Sequence, residues 1–315
     1  MSKLMQSIDA RTQLAGNNRL EVLLFSLGKN SVSGRDEVFG INVFKVREVM
    51  HIPEITHAPD MPDAVEGMVS LRGNMVPVIN LSEFCNVQSE DPPEILMITE
   101  YNKHVQGFLV HSVDTIERLN WDGVKAPPSM ITSRLGGLVT AVAELQDQRL
   151  VMIMDVERVL AETAGFYDGQ DIYRGIETRK SGKNITVLFA DDSSVARGQI
   201  VGTLDHMGIR HLGVSNGAEA WAKLNDIAEK STLAGEKITD NVNFILTDVE
   251  MPEMDGYVLT RKIKSDDRFK DIPVVMHSSL TAEANQALGK GVGADAYVPK
   301  FEPQELAATL EKLLA

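Results

Sequence analysis

Apolar positions along the chain follow two rhythms, with one change between them. From about Leu20 to Asp155 they form short, β-rich runs at Leu20–Leu27, Val38–Val49, Met75–Ile79, Ile95–Thr99, Val105–Val110, Leu138–Ala143 and Leu150–Met154. Turn formers stand between them: Gly28-Lys29-Asn30, Ser33-Gly34, Arg72-Gly73-Asn74 and Pro127-Pro128. Many short runs punctuated in this way predict an all-β barrel or sandwich, closed by a helical tail at Val156–Ala161. From Asn184 strand-like and helix-like patterns alternate. Strands are predicted at Ile185–Ala190, Leu212–Val214, Phe244–Thr247, Val274–His277 and Ala296–Val298, and helices at Val195–Met207, Ala218–Ala228, Val258–Lys264, Ala282–Lys290 and Pro303–Leu314. Pro303 suits the first turn of the last helix. Five β/α units predict a doubly wound α/β domain, a parallel sheet with helices on both faces.

Between the two rhythms, about Gly165 to Lys183, glycines are scattered among charged and polar residues with few apolar anchors. This predicts a linker with a short helix around Ile172–Thr178. The chain is thus divided into 1–165, a linker at 166–183, and 184–315.

Composition narrows the function. The 315 residues suffice for about two domains, and 43% of them are apolar, enough for a core in each. The formal net charge is −14 and both halves are acidic, which speaks against a nucleic-acid-binding output with its basic face. The lone cysteine, Cys85, has no internal partner for a disulfide and fits a reducing compartment. No apolar run approaches the roughly 18 to 20 residues of a membrane helix, and the first twenty residues lack a signal-peptide core. The chain reads as a soluble cytoplasmic protein without direct membrane insertion.

The candidate chemistry lies in the second half. In a doubly wound domain, sites form at the carboxyl ends of the strands. Asp191-Asp192 follows the first strand, Asp248 the third, Ser278-Ser279 the fourth and Lys300 the fifth. Three carboxylates brought together disfavour each other's ionisation unless a cation compensates. Mg²⁺, with its preference for oxygen ligands, meets that need. One carboxylate is then a nucleophile toward phosphorus, while the metal and the Lys300 ammonium neutralise the phosphoryl oxygens and Ser278 donates a hydrogen bond to one of them. His277 reads as a packed strand residue rather than a catalyst.

Two runs, Val187-Leu-Phe-Ala-Asp-Asp-Ser193 and Leu246-Thr-Asp-Val-Glu-Met-Pro-Glu-Met-Asp-Gly256, resemble the receiver domain of two-component response regulators. Ile272-Pro-Val-Val-Met-His-Ser278 and Ala294-Asp-Ala-Tyr-Val-Pro-Lys300 continue the match, as do the spacings of 30 residues from Asp248 to Ser278 and 22 from there to Lys300. The resemblance implies Asp248 as phosphoacceptor. It implies Mg²⁺ on Asp192, Asp248 and the backbone carbonyl of Glu250, with Asp191 acting through water, and Ser278 and Tyr297 as a switch pair. Two features depart from the family pattern. Phe301 follows Lys300 where the family has proline, and the separation of Asp192 from Asp248 is long, so Lys230–Asn243 reads as holding an insertion.

The first half shows no catalytic constellation and no phosphate-cradling loop, and its dispersed histidines lack zinc-ligand spacing. Phe39-Gly-Ile-Asn-Val-Phe-Lys-Val-Arg-Glu-Val-Met50, Ile52–Pro59, Val65–Leu81 and Gly107-Phe-Leu-Val110 resemble the CheW coupling domain. That resemblance implies a pair of small five-stranded barrels about a shared core, which bind chemoreceptor tips and the regulatory domain of the chemotaxis histidine kinase. Coupling residues carried over are Val46, Glu48, Arg72 and Gly73. Arg72 either ties its turn internally or faces a partner, and Val46 is either core or contact. A CheW-like domain followed by a receiver is the arrangement of CheV-type chemotaxis coupling proteins. It implies a non-enzymatic adaptor between receptors and kinase, phosphorylated on Asp248 and recruited to receptor arrays. The alternatives weighed are a scaffold whose receiver only drains phosphate, a regulated enzyme, and a transcriptional regulator.

Overall fold

The computed structural model describes residues 19–31, 34–57, 64–89, 91–101, 104–128, 138–159, 170–178, 185–279 and 283–314. Contacts divide the chain into two units, Leu20–Asp168 and Gly169–Ala315. Among the described residues no helix is long and apolar enough to cross a membrane.

The first unit is built of two sheets. One has the order β8 (Ser112–Asn120), β1 (Arg19–Ser26), β2 (Val38–Asn42), β11 (Leu150–Met154), β10 (Val139–Glu144) and β9 (Val124–Lys125). The other runs β3 (Val46–His51), β6 (Ile95–Tyr101), β7 (His104–Val110), β5 (Asn74–Asn80), β4 (Val65–Leu71). The two five-stranded parts implied by the resemblance are present, with the two-residue β9 added to the first. Residues 22–25 are buried on both faces of β1. Leu23 and Phe25 meet Ile79, Met97 and Phe108 of the second sheet, whereas Val22 and Leu24 pack with Ala141, Val151 and Ile153 of their own. A separate cluster of Val69, Val76, Val78, Leu96, Ile98 and Leu109 fills the inside of the second sheet. Each curled sheet therefore has its own interior, and a third cluster joins them. Burial on both faces explains why these strands are continuously apolar instead of alternating.

Two expectations change here. The run Val38–Val49 is not one strand. The Asn42 side chain accepts a 2.9 Å hydrogen bond from the Phe44 amide and starts a single 3₁₀ turn at Val43–Lys45, after which the chain enters the other sheet. Strand β8 falls outside the predicted runs. Its Asp114, Glu117 and Arg118 suit an edge position, where Arg118 Nε bonds Glu21 Oε1 of β1 at 2.7 Å. Of the expected helical tail, residues 156–159 are helical, and 160–161 lie outside the described residues.

In the second unit five parallel strands take the order β13 (Arg210–Val214), β12 (Thr186–Ala190), β14 (Phe244–Thr247), β15 (Val274–Ser278), β16 (Ala296–Pro299). The helices are α1 (Ser194–His206), α2 (Gly217–Ala234), α3 (Gly256–Ser265), α4 (Glu283–Gly291) and α5 (Pro303–Leu314). Val187 and Phe189 pack with Ile200 and Leu204 of α1 and Leu306 and Leu310 of α5. Leu188 and Ala190 pack on the other face with Leu224 of α2 and Leu259 and Ile263 of α3. The first strand lies inside the sheet and the chain moves outward from it in both directions, which opens a crevice at the carboxyl ends of β12 and β14. The long spacing before Asp248 is taken up by α2, which runs to Ala234 and stops at Gly235 (φ 72°), and by a 3₁₀ turn at Ile238–Asp240.

The described part of the expected linker, residues 170–178, is ordered against this unit; 166–169 and 179–183 lie outside the described residues. Gln170–Tyr173 form a 3₁₀ turn rather than a helix reaching Thr178. The Tyr173 ring stacks on His206 with centroids 4.6 Å apart, and Gln304 Nε2 donates to the Ile172 carbonyl at 2.7 Å. Thr178 Oγ1 donates to the His206 carbonyl at 2.9 Å, and Ile176 joins the α1–α5 core. A segment with few apolar residues is held here by the Tyr173 ring, by hydrogen bonds from the Gln304 and Thr178 side chains, and by Ile176.

Candidate functional site

Strand β12 ends its pairing at Ala190 and β14 at Thr247, so the next residues on each, Asp191 and Asp248, project into the crevice between them. The Asp248 amide still donates to the Ala190 carbonyl at 2.8 Å, which sets the two acidic residues side by side. Asp191, Asp192 and Asp248 each offer a carboxylate oxygen within 4.8 Å of the others. Asp191 and Asp248 are buried, at 0% and 3% exposure, and Asp192 is half-buried.

Lys300 lies at the centre of the cluster, itself 2% exposed. Its Nζ is 2.9 Å from Asp248 Oδ2 and 3.2 Å from Asp191 Oδ1. A buried ammonium between buried carboxylates is tolerated because each compensates the desolvation of the other. One ammonium against three carboxylates leaves a negative excess at a set of hard oxygen donors. That donor set suits Mg²⁺, which takes oxygen ligands and keeps several waters. Glu250 follows in the loop two residues after Asp248.

The remaining expected residues line the same crevice. Ser278 ends β15 fully buried and is hydrogen-bonded to the Tyr297 side chain from the adjacent β16. Burial raises the Tyr297 hydroxyl above the usual phenol range, so it stays protonated. The Lys300 amide donates to the Ser278 carbonyl at 3.1 Å, so the lysine and the serine are fastened through the backbone as well. At Lys300-Phe301, where the family proline is absent, Phe301 takes φ 63°, and there is no cis peptide bond among the described residues.

Several residues at the site gave no signal in the sequence or a weak one. Gly256 begins α3 against Asp248; a Cβ there would lie 2.0 Å from the Asp248 carbonyl oxygen. Asp255 caps α3 through the Val258 amide at 2.7 Å, and burial pushes its carboxyl up. Both stand in the quoted Met-Asp-Gly run without an assigned role. His277 is 2% exposed, as a packed strand residue should be, yet its Nδ1 is 4.0 Å from Asp191 Oδ2. Tyr257 of α3 donates to the Asn285 carbonyl of α4 at 3.3 Å, and burial raises its hydroxyl. Arg197 had one available signal. A cation in the first turn of a helix opposes the macrodipole, so its presence there needs a partner. Its Nη1 donates to the carbonyls of Asp191 and Asp192 at 2.7 and 2.9 Å.

In the first unit the four coupling candidates separate. Val46 is 6% exposed and belongs to the core between the sheets, which supports its core alternative. Arg72 and Gly73 are the two residues of the β4–β5 hairpin turn, with φ 51° and 84°. Positive φ at both positions matches the twist of a two-residue hairpin, and glycine meets it without strain. Arg72 Nη2 bonds Glu48 Oε2 at 3.0 Å, joining the two edge strands β3 and β4 of the sheet, while Arg72 itself remains 67% exposed. An exposed pair of this kind contributes about 0.2–1 kcal/mol.

Residues 21–164 match the CheW-like domain and residues 187–311 the response regulator receiver domain. Chemotaxis protein CheV3 of Helicobacter pylori is 30% identical over 281 residues, 88% of this chain and 88% of its own. Chemotaxis protein CheV1 of the same organism is 26% identical over 335 residues, 100% of this chain and 99% of its own. Chemotaxis protein CheY1, also from that organism, is 36% identical over 130 residues, 41% of this chain and 95% of its own. With both domains matched in this order and a relative similar along most of its length, the chain belongs to the CheV family of chemotaxis coupling proteins, a CheW-like domain followed by a receiver domain.

Proposed function

We propose that the first unit couples chemoreceptor tips to the chemotaxis histidine kinase, and that the kinase phosphohistidine phosphorylates Asp248 to adjust that coupling as an adaptation device. The observation that carries this reading is the buried Asp248 carboxylate, with Lys300 at 2.9 Å and two further carboxylates beside it. Asp192, Asp248 and the Glu250 carbonyl would hold Mg²⁺, with Asp191 helping through water, and the ion would supply charge neutralisation at the phosphoryl oxygens. In the transfer an Asp248 oxygen attacks phosphorus, the phosphorus–nitrogen bond breaks, and the imidazole leaves with that electron pair. Lys300 holds its charge against the transferring oxygens, and exclusion of water strengthens that interaction.

Ser278 connects phosphorylation to the rest of the domain. Its hydroxyl is engaged with Tyr297 before transfer and turns to a phosphoryl oxygen after it, which frees the tyrosine to move. On the coupling side, Glu48, Arg72 and Gly73 lie at the sheet edge as the contact candidates, with Val46 supporting them from the core. This assigns the protein to the cytoplasmic side of receptor arrays.

Two measurements test the proposal. Phosphorylated kinase mixed with wild type and with Asp248→Asn should pass its phosphoryl group to the wild type alone; equal transfer to both removes Asp248 as acceptor. Receptor-dependent kinase activity is then compared between wild type and Asp248→Ala. A difference that depends on phosphorylation supports adjustment of coupling, whereas identical coupling in both states leaves only a phosphate sink.

A further inference from the structure

We infer that Arg197 is a positioning residue for the acidic site, holding in place the backbone that carries two of its three carboxylates. This rests on the reading of the site as a Mg²⁺-dependent phosphoacceptor. One guanidinium nitrogen, Nη1, donates to the carbonyls of both Asp191 and Asp192, at 2.7 and 2.9 Å. These carbonyls lie past the last paired residue of β12, so the sheet ladder no longer holds them.

The turn carrying the two acids is fastened at other points as well. The Asp191 amide donates to the Val214 carbonyl at 3.3 Å, and the Ser193 amide to Asp191 Oδ1 at 2.9 Å. Ser193 Oγ caps α1 through the Ala196 amide at 3.4 Å. Arg197 adds a restraint on both carbonyls, and it does so from the first turn of α1, where a cation is disfavoured by the helix dipole. A guanidinium presents several donors in a rigid fork, so one side chain can restrain two successive peptide groups.

The two cations of the site therefore divide the work. Lys300 reaches the carboxylates of Asp191 and Asp248, whereas Arg197 reaches the backbone of Asp191 and Asp192. Mg²⁺ demands near-octahedral geometry at about 2.0–2.1 Å, so loosening the Asp191-Asp192 turn displaces ligands by more than the metal tolerates. Groups that orient metal ligands from behind typically change affinity about 10- to 100-fold when removed.

The test uses the full chain, with Mg²⁺ binding followed by calorimetric titration and thermal midpoints recorded in EDTA. Arg197→Met keeps the apolar stem and removes the donors; Arg197→Lys keeps a charge with a different donor geometry. The expected result is Mg²⁺ binding weakened about tenfold or more in Arg197→Met, less in Arg197→Lys, with the EDTA midpoint of Arg197→Lys near that of wild type. Phosphorylation by a small acyl phosphate should then need more Mg²⁺ for half-maximal rate but approach the wild-type rate at saturation. Wild-type Mg²⁺ affinity in both variants overturns the inference, as does a rate deficit that saturating Mg²⁺ leaves unchanged. If Arg197→Met does not fold, Arg197→Lys carries the decision by the same criteria. Wild type that itself takes up no Mg²⁺ overturns the reading of the site on which the inference rests; wild-type binding matched by the variants overturns the inference alone.

Discussion

Lys300 and Phe301 show how much of the site depends on single side chains. Lys300 is the ammonium shared by Asp191 and Asp248. Replacing it with methionine removes the charge proposed to meet the phosphoryl oxygens but also removes a cation from beside the Asp191 and Asp248 carboxylates. Lys300→Met should therefore phosphorylate about a hundredfold more slowly while binding Mg²⁺ at least as tightly as wild type. Parallel rate measurement and Mg²⁺ titration check this, and weaker binding would show that Lys300 serves mainly to hold the carboxylates in place. At Phe301, φ 63° is strained for a side chain other than glycine. Proline locks φ near −65°, so Phe301→Pro cannot enter this loop as it stands, although proline is what the receiver family carries there. The substitution should destabilise the second unit by more than about 1 kcal/mol, read from chemical denaturation. An unchanged midpoint would mean that the loop rebuilds freely.

Among the elements, the segment 170–178 differs most from a free tether. Its Tyr173 ring lies over Gly202 of α1, where a Cβ would come within 2.2 Å of the tyrosine oxygen. Gly202 is thus a seat for the ring rather than a helix breaker. Gly202→Ala improves the intrinsic helix propensity of α1 by about 1 kcal/mol but expels Tyr173. The expected outcome is faster amide exchange and proteolysis at residues 172–178, with α1 itself as protected as before or more so. If exchange in the segment is unaltered, the stacking on His206 does not hold it. Gln304, which fastens the Ile172 carbonyl, stands four residues after Lys300. A contact of the segment and a contact of Asp248 therefore belong to one short stretch of chain.

For the whole molecule, each unit has its own hydrophobic clusters, so a ligand for one should stabilise that one. A ligand that binds only the folded state stabilises by RT ln(1 + [L]/Kd), about 2.7 kcal/mol at one hundred times Kd. With Trp121 of the first unit replaced by phenylalanine, Trp221 of α2, packed edge-on against Phe269, is left as the tryptophan reporter of the second unit. Mg²⁺ should raise the midpoint seen by Trp221 relative to EDTA, and Asp192→Ala should abolish the increase. A shift that survives Asp192→Ala would place the cation elsewhere.

Read without coordinates, the chain already carried its division into a β-rich half and a β/α half, the placing of Asp248, Asp192 and Lys300 at strand ends, and most strands within a residue or two. These follow from local causes. Strands buried on both faces read as apolar runs, and a polar residue at the end of such a run marks the mouth of a parallel sheet. The tertiary structure decided the rest, because it depends on which way the chain turns after a local signal and on which distant residues it then meets. The run Val38–Val49 is divided between two sheets by the Asn42 cap. The charged strand β8 is a strand because β1 offers it an edge. Val46 is core because it is buried in the cluster that also holds Ile79 and Phe108, and the glycine-punctuated segment after the first unit is docked because Gly202 leaves room for Tyr173. Arg197 lies only six and five residues from Asp191 and Asp192, but that its side chain turns back onto their carbonyls shows only in the folded structure.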